Sequence, residues 1–310
     1  MKRILFTLFL ATLLSGCGGD PEITDDMLDG KVLVDASLAN REAYLVSYAN
    51  PTPSAEEAQK PVVIAVHGYS ASTFEWDEFR QWAGNRTDFA ISQVLMGGHG
   101  RDYASFKAAT WQDWREPVAA EYARLVAAGY TNISLAGSST GCAVILEMLA
   151  NGYFQNRFAP RHVFLIDPIV ISSDKTLSLV GVVGPVIGFV EAEHNAAERK
   201  YWYTYRPYQT LKELRELINL VRKELQQGII LPAATSLKVY KSERDDAADP
   251  VSAVLIHKGV RTAAGQAPAV TMVPSDLHVF TRLDLRETVT ASDRTNQRQA
   301  FDDMASTLTR

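Results

Sequence analysis

The 310-residue sequence predicts an α/β fold in which a mostly parallel sheet carries helices on both faces. Three observations predict it. The run "VVIAVHG" (62–68) stays apolar and β-branched up to a histidine and a glycine, as a strand buried on both faces requires. Beyond it, apolar strand-like runs alternate with segments of helical spacing. Several of those helical segments stop at a glycine, and one opens on an Asp-Pro cap.

In chain order, "KVLVDAS" (31–37) and "EAYLVSYAN" (42–50) alternate like two early strands, and "NPTPSAEEAQKP" (50–61) is a polar, Pro-rich loop. After the strand at 62–66, "TFEWDEFRQWAG" has helical spacing and "FAISQVLMGGHG" holds a strand. "WQDWREPVAAEYARLVAAGY" is a helix closed by Gly129, "NISLAG" a strand, and "STGCAVILEMLANG" a helix stopped by glycine. "RHVFLIDP" is another buried strand. Later come the strand "SLKVYKS", the helix "DPVSAVLIHKG", the strand "AVTMVPS" and a last helix within 293–309. Residues 169–232 break the rhythm, because they separate two strands by more chain than a crossover needs. They hold the glycine-rich "LSLVGVVGPVIGFVEA", the aromatic "YWYTYRPY" and an amphipathic helix with Leu211, Leu214, Leu217, Ile218, Val221 and Leu225 on one stripe. We read 169–232 as an inserted cap over the sheet's C-terminal edge, and 31–168 with 233–310 as the core.

The first residues, "MKRILFTLFLATLLSGC", do not belong to this pattern. Lys2 and Arg3 precede an apolar stretch, Ile4–Leu14, too short to span a bilayer comfortably, and small residues lead to Cys17. The segment resembles a bacterial lipoprotein signal with its lipobox. That resemblance implies a signal peptide at 1–16, cleavage before Cys17, lipidation of Cys17 and export to a membrane face, with 17–30 as a polar tether. The acyl chains would anchor the protein by burying methylenes worth about 0.8 kcal/mol each.

Composition narrows the partners. A net charge of −5 offers no basic footprint, so nucleic acid is not an expected partner. Loss of Lys2 and Arg3 leaves 29 basic against 36 acidic side chains, a net of −7. Cys142 would then be the single thiol, which excludes an intramolecular disulfide. No metal-ligand spacing and no phosphate loop occur, so no metal and no cofactor is expected. Oligomeric state is not set by the sequence.

The chemistry centres on "GSSTG" (137–141), a G-x-S-x-G pattern between an expected strand and an expected helix. Such a turn presents Ser139 at a helix N-terminus, whose partial positive charge favours a developing oxyanion. A serine hydroxyl needs a base, and the base needs a carboxylate to orient it. Of the six histidines, His67, His99, His162, His194 and His257 lie in strands, turns, the cap or a helix. His278, in "VPSDLHVF", follows the last strand and is the expected base. For the acid, Asp249 precedes Pro250 and reads as a helix cap. Asp245 and Asp246 are not separated by spacing, and Asp167, after an earlier strand, is an outside candidate.

From about residue 60 onward the chain resembles the α/β-hydrolase superfamily, and within it the monoacylglycerol lipases and bacterial carboxylesterases. "HGYS" matches their HG-aromatic turn after the third strand, "GGHGRD" their G-H-G after the fourth, and "GSSTG" their nucleophile turn after the fifth. "RPYQTLKELRELINLVRKEL" resembles their cap helix. The resemblance implies a triad of Ser139, Asp245 and His278, with Asp245 preferred over Asp246 by its distance from the x-Pro helix start. It also implies an oxyanion hole from the backbone N–H groups of Tyr69 and Thr140, with His67 shaping the turn. The sequence departs from the family in its Ser138 and Thr140 flanks, in "SDLH" for the common "SGH", and in its paired aspartates.

The expected function is serine ester hydrolysis on a small-molecule ester, medium-chain esters or monoacylglycerols being the substrates an aromatic cap suggests. A thioesterase, acyltransferase or perhydrolase would use the same triad, and a tethered binding lipoprotein would need none of it.

Overall fold

The computed structural model describes residues 21–22, 45–84, 86–155, 157–173 and 188–310. The signal segment and Cys17, most of the tether, the strand expected at 31–37 and residues 174–187 of the expected cap lie outside them.

Seven strands form the main sheet: β1 (Leu45–Ser47), β2 (Val62–Val66), β3 (Ala90–Val94), β4 (Ile133–Ser138), β5 (His162–Ile166), β6 (Ser236–Ser242) and β7 (Ala269–Val273). Their order is β1-β3-β2-β4-β5-β6-β7. Six run parallel, and β1 pairs antiparallel with β3. All five residues of β2 are buried, as its unbroken apolar run requires of a strand covered on both sides.

Alternate residues feed two cores. Val63, Ala65, Ala136, Phe164, Ile166 and Tyr240 pack on the side of α1 (Asp77–Ala83) and α7 (Ala291–Leu308). Val62, Ile64, Val66, Leu135, Leu165 and Val239 pack on the side of α3 (Trp111–Ala127), α4 (Thr140–Ala150), α5 (Tyr208–Gln227) and α6 (Val251–Gly259). A short α2 (Tyr103–Ala108), opened by the Asp102 side chain accepting from Ser105 N–H at 2.7 Å, has no counterpart in the sequence pattern.

The amphipathic helix expected within the cap is α5, and its surroundings differ from that expectation. It buries Leu214, Leu217, Ile218, Val221 and Leu225 in the same core as α4 and α6. Each such side chain contributes about 1.5–3 kcal/mol on burial. Gly259 of α6 lets the two helices approach closely, since a Cβ there would lie 2.5 Å from the Leu225 carbonyl oxygen. In packing terms α5 is the crossover helix between β5 and β6, so the inserted part ends before it. What sits on the C-terminal edge of the sheet is the aromatic stretch 201–207. Tyr201 stacks on Phe74 at 3.9 Å, and Tyr203 N–H donates to the Ser70 carbonyl at 2.8 Å.

Register brings the strand ends level. Val66 pairs with Gly137, Ser138 with Ile166, Ile166 with Tyr240, and Ser242 with Val273. The chain leaves β2 toward β3 on one side and returns to β4 on the other. That reversal opens a crevice at the carboxyl ends of β2 and β4, where ligands bind in open α/β sheets.

Candidate active site

Strand β4 ends at Ser138 and α4 begins at Thr140, so Ser139 alone turns the chain. Its backbone takes φ 50° and ψ −113°. For a residue with a Cβ that conformation costs on the order of 1–3 kcal/mol, and the surroundings must enforce it. Two glycines allow it. A Cβ on Gly141 would lie 2.3 Å from the Val66 carbonyl oxygen, and one on Gly137 would lie 2.7 Å from Cys142 N. Ser139 N–H donates to the Ile166 carbonyl at 3.0 Å, which ties the turn to β5.

The three residues expected as a triad lie together. Ser139 Oγ is 2.8 Å from His278 Nε2, and His278 Nδ1 is 2.8 Å from Asp245 Oδ2. Asp245 is enclosed, and its Oδ1 accepts from Ala247 N–H and Ala248 N–H at 2.9 Å each. Asp246 is exposed. Asp249 caps α6, accepting from Val251 N–H at 2.8 Å. The remaining acid candidate, Asp167, is buried one strand away and accepts from Ser242 N–H at 2.7 Å and Phe280 N–H at 3.0 Å.

Burial pushes Asp245 up, but the hydrogen bond and charge of His278 and the ammonium of Lys241 outweigh it, leaving its carboxyl at about 2. For His278 burial works downward, while the hydrogen bond and charge of Asp245, helped by Asp167, raise it above the ordinary imidazole value. An imidazole so placed is a stronger base than a free one.

Three neighbours of this site escape sequence reasoning. Lys241 Nζ lies 2.5 Å from Asp245 Oδ2. Glu75 accepts from Gly68 N–H at 2.7 Å and from the Ser138 hydroxyl. Arg286 donates to the His278 carbonyl at 2.5 Å. The one signal was Lys241, which shares a strand phase with buried Leu237 and Val239 in "SLKVYKS".

The turn after β2 faces Ser139, since a Cβ on Gly68 would lie 3.1 Å from Ser139 Cβ. Tyr69 has its hydroxyl on Thr210 Oγ1 at 2.6 Å, and burial pushes that phenol up. Its backbone N–H and that of Thr140 have no acceptor among the described residues. His67 and His99 hold the turn from below. Met96 N–H donates to His67 Nε2 at 3.0 Å, which leaves the ring proton on Nδ1, facing the Gly68 carbonyl at 2.8 Å. Ser70 N–H donates to His99 Nε2 at 3.2 Å, with His99 Nδ1 on the Gly97 carbonyl at 3.1 Å. Protonating either ring would set N–H against N–H.

Acid sensitivity follows. Burial lowers His67 to about 4 and His99 well below its usual value; burial, with Arg161 and Lys238, lowers His162 to about 4. The unfolded chain binds protons at these rings near pH 6.5, the folded protein only near 4 at His67 and His162, so their contribution is complete above about 6.5 and lost as pH falls toward 4. Urea midpoints measured between pH 7.5 and 4 are expected to fall steadily below 6.5. His67→Gln, which keeps a donor and an acceptor but cannot titrate, is expected to flatten that slope; an unchanged slope would refute the assignment.

Solved structures share this architecture. The chain is similar to a lipolytic enzyme of the metagenome-derived LipS and LipT pair, at 16% identity over 86% of this chain and 97% of that one, with a TM-score of 0.64. It is also similar to a soluble variant of monoglyceride lipase from Saccharomyces cerevisiae, at 12% identity, 85% and 90% coverage and a TM-score of 0.66. A monoacylglycerol lipase from Paleococcus ferrophilus matches at 12% identity, 80% and 96% coverage and a TM-score of 0.58. The fold is the α/β-hydrolase fold. The sequence itself matches no protein-family model and no curated protein. Within the α/β-hydrolase fold, Ser139 sits at the strand-to-helix elbow, Asp245 after the penultimate strand and His278 after the last. Among the described residues, no cluster of His, Cys, Asp or Glu is arranged to hold a metal ion.

Proposed function

We propose that the protein is a serine carboxylic-ester hydrolase. The observation that carries this reading is the unbroken line from Ser139 Oγ through His278 to Asp245 Oδ2, with both hydrogen bonds at 2.8 Å. As Ser139 Oγ attacks an ester carbonyl, His278 Nε2 takes the hydroxyl proton, and Asp245 holds the Nδ1 proton and stabilises the imidazolium. The carbonyl oxygen, now an anion, is received by Tyr69 N–H and Thr140 N–H, helped by the N-terminus of α4. His278 gives its proton to the departing alcohol, leaving an acyl-Ser139. Water then repeats the sequence, with His278 as base, and releases the acid. One oxyanion donor is worth about 3 kcal/mol in such a step.

Substrate preference is read from the mouth of the site. Phe74 stacks on Tyr201, and both meet Trp202 edge-on, an aromatic surface that suits acyl esters of medium length and monoacylglycerols. The test is a p-nitrophenyl ester series from acetyl to palmitoyl, on the protein lacking residues 1–17 and on its Ser139→Ala variant. Hydrolysis confined to the former, with a chain-length optimum, supports the reading. A folded protein that cleaves no ester and takes no fluorophosphonate label would sink it, leaving a binding protein on a hydrolase scaffold.

We also infer that Cys17 is lipidated and holds the protein to a bacterial membrane, from the basic, apolar and small-residue order of "MKRILFTLFLATLLSGC". Cys17→Ser is expected to abolish incorporation of labelled palmitate and to move the protein out of the membrane fraction. Retention of both label and location would overturn the assignment.

A further inference from the structure

Behind Asp245 lies a buried ammonium that ester hydrolysis does not itself require. Lys241 is the penultimate residue of β6, and its side chain has 0% of its surface exposed. Its Nζ stands 2.5 Å from Asp245 Oδ2 and 3.3 Å from Asp167 Oδ1. Leu237 and Val239 occupy the same phase of the strand, so packing alone would favour an aliphatic side chain here. Enclosing an ammonium costs several kcal/mol unless carboxylates answer it, and this one is answered twice.

The surrounding groups define what that charge does. Asp167 comes from the loop after β5, Asp245 from the loop after β6, and His278 from the loop after β7. Burial raises Asp167 above the usual carboxylate value, while the Lys241 ammonium and the hydrogen bonds from Ser242 N–H at 2.7 Å, Ser242 Oγ at 3.2 Å and Phe280 N–H at 3.0 Å favour its carboxylate form. From α4, the Cys142 thiol is pushed well up by burial and stays neutral. Arg286 is engaged by the His278 and Arg282 carbonyls, and Glu75 by Gly68 and Ser138 on the other side of the elbow. Two carboxylates therefore face the imidazole, with a single enclosed ammonium between them.

We propose that Lys241 is a positioning residue of the site: it clamps Asp167 to Asp245, aims Asp245 Oδ2 at His278 Nδ1, and reduces the negative charge felt by His278 to that of a single carboxylate. This rests on the reading of Ser139, His278 and Asp245 as a hydrolytic triad. The clamp joins the ends of β5 and β6, so the acid is held by strand ends as well as by its own loop. The charge sets the acid limb of kcat/KM, where rate rises as His278 loses its proton.

The experiment compares four forms of the full chain: wild type, Lys241→Met, Asp167→Asn and the double variant. Wild type should show an acid limb above pH 6.5, the ordinary imidazole value. Lys241→Met leaves both carboxylates uncompensated, favours the imidazolium and moves the limb up by about one pH unit. Asp167→Asn removes one negative charge and moves it down. The double variant loses one charge of each sign and returns the limb close to wild type. A side chain that only filled space would change rate or melting temperature without opposite displacements.

Should Lys241→Met fail to fold, the test passes to Asp167→Asn and the double variant, which carries no added buried charge. Adding Lys241→Met to Asp167→Asn must then move the limb back up. His278 is titrated in parallel by its imidazole proton resonances in a Ser139→Ala background, which needs no turnover. Resonances that shift as expected in a protein without esterase activity would uphold the clamp and reject the triad. Active enzymes whose limb and resonances stay at the wild-type pH in every variant would overturn the clamp and leave the triad standing.

Discussion

Ser139→Ala is expected to lower kcat/KM for the best p-nitrophenyl ester by about 10⁴–10⁶-fold, because the members of a triad act as a unit. No neighbouring hydroxyl can stand in. Ser138 gives its hydroxyl to the Glu75 carboxylate, and its Oγ lies 3.4 Å from the Val66 carbonyl. The Thr140 hydroxyl is buried without a partner among the described residues, and its backbone already starts α4. The melting temperature is expected to stay close to wild type, since the variant loses one hydroxyl and keeps the backbone that φ 50° imposes. Fluorophosphonate labelling of the intact protein and its absence from the variant provide the second readout. Undiminished hydrolysis by a folded Ser139→Ala protein would place the chemistry elsewhere.

Gly141→Ala is expected to have the largest effect on stability. The added methyl would meet the carbonyl oxygens of Val66 at 2.3 Å and His67 at 2.7 Å, neither of which is the end of a flexible side chain. Val66 lies in β2, which is paired to β3 on one side and β4 on the other. The strand cannot retreat without breaking a ladder, so α4 must move, by about 1 Å to reach an ordinary contact distance. Overpacking of this kind costs about 1–3 kcal/mol and occasionally more, and unyielding backbone puts this site at the upper end. Urea midpoints should report that loss. Activity should fall further than stability alone explains, because the same movement carries Ser139 and Thr140 N–H away from His278 and the Tyr69 turn. An unchanged midpoint would mean that the elbow has slack which its contacts do not show.

Much of this arrangement is legible in the sequence, for identifiable reasons. Parallel strands covered on both faces must be unbroken apolar runs, so "VVIAV" and "HVFLI" announce themselves. The elbow is legible because no residue but glycine fits at 137 and 141. Preference for Asp245 over Asp246 came from family resemblance and not from spacing; the enclosed side chain of the first and the exposure of the second give it a geometric counterpart. The amphipathic stripe of α5 stated that one face is buried but not against what, and its partners proved to be α4 and α6. Short α2 rests on a cap at Asp102 and on Phe106, which stacks with Tyr203 from almost a hundred residues away. Glu75 and Arg286 were invisible for a common reason, and Lys241 showed itself only by its strand phase. A charged residue type carries no mark of burial, and its partners here come from other strands and loops.

The bond from Tyr203 N–H to the Ser70 carbonyl has a mechanical meaning. Ser70 has a left-handed φ of 59°, and its own N–H is held by His99, so the residue after Tyr69 is gripped through both its N–H and its carbonyl. Drawing the aromatic stretch away from the sheet edge must release one of those grips first. Displacing the aromatic stretch and keeping Ser70 braced on both sides are therefore mutually exclusive. On the proposed reading, an ester bulky enough to displace the aromatic stretch would lose that brace and be cleaved more slowly.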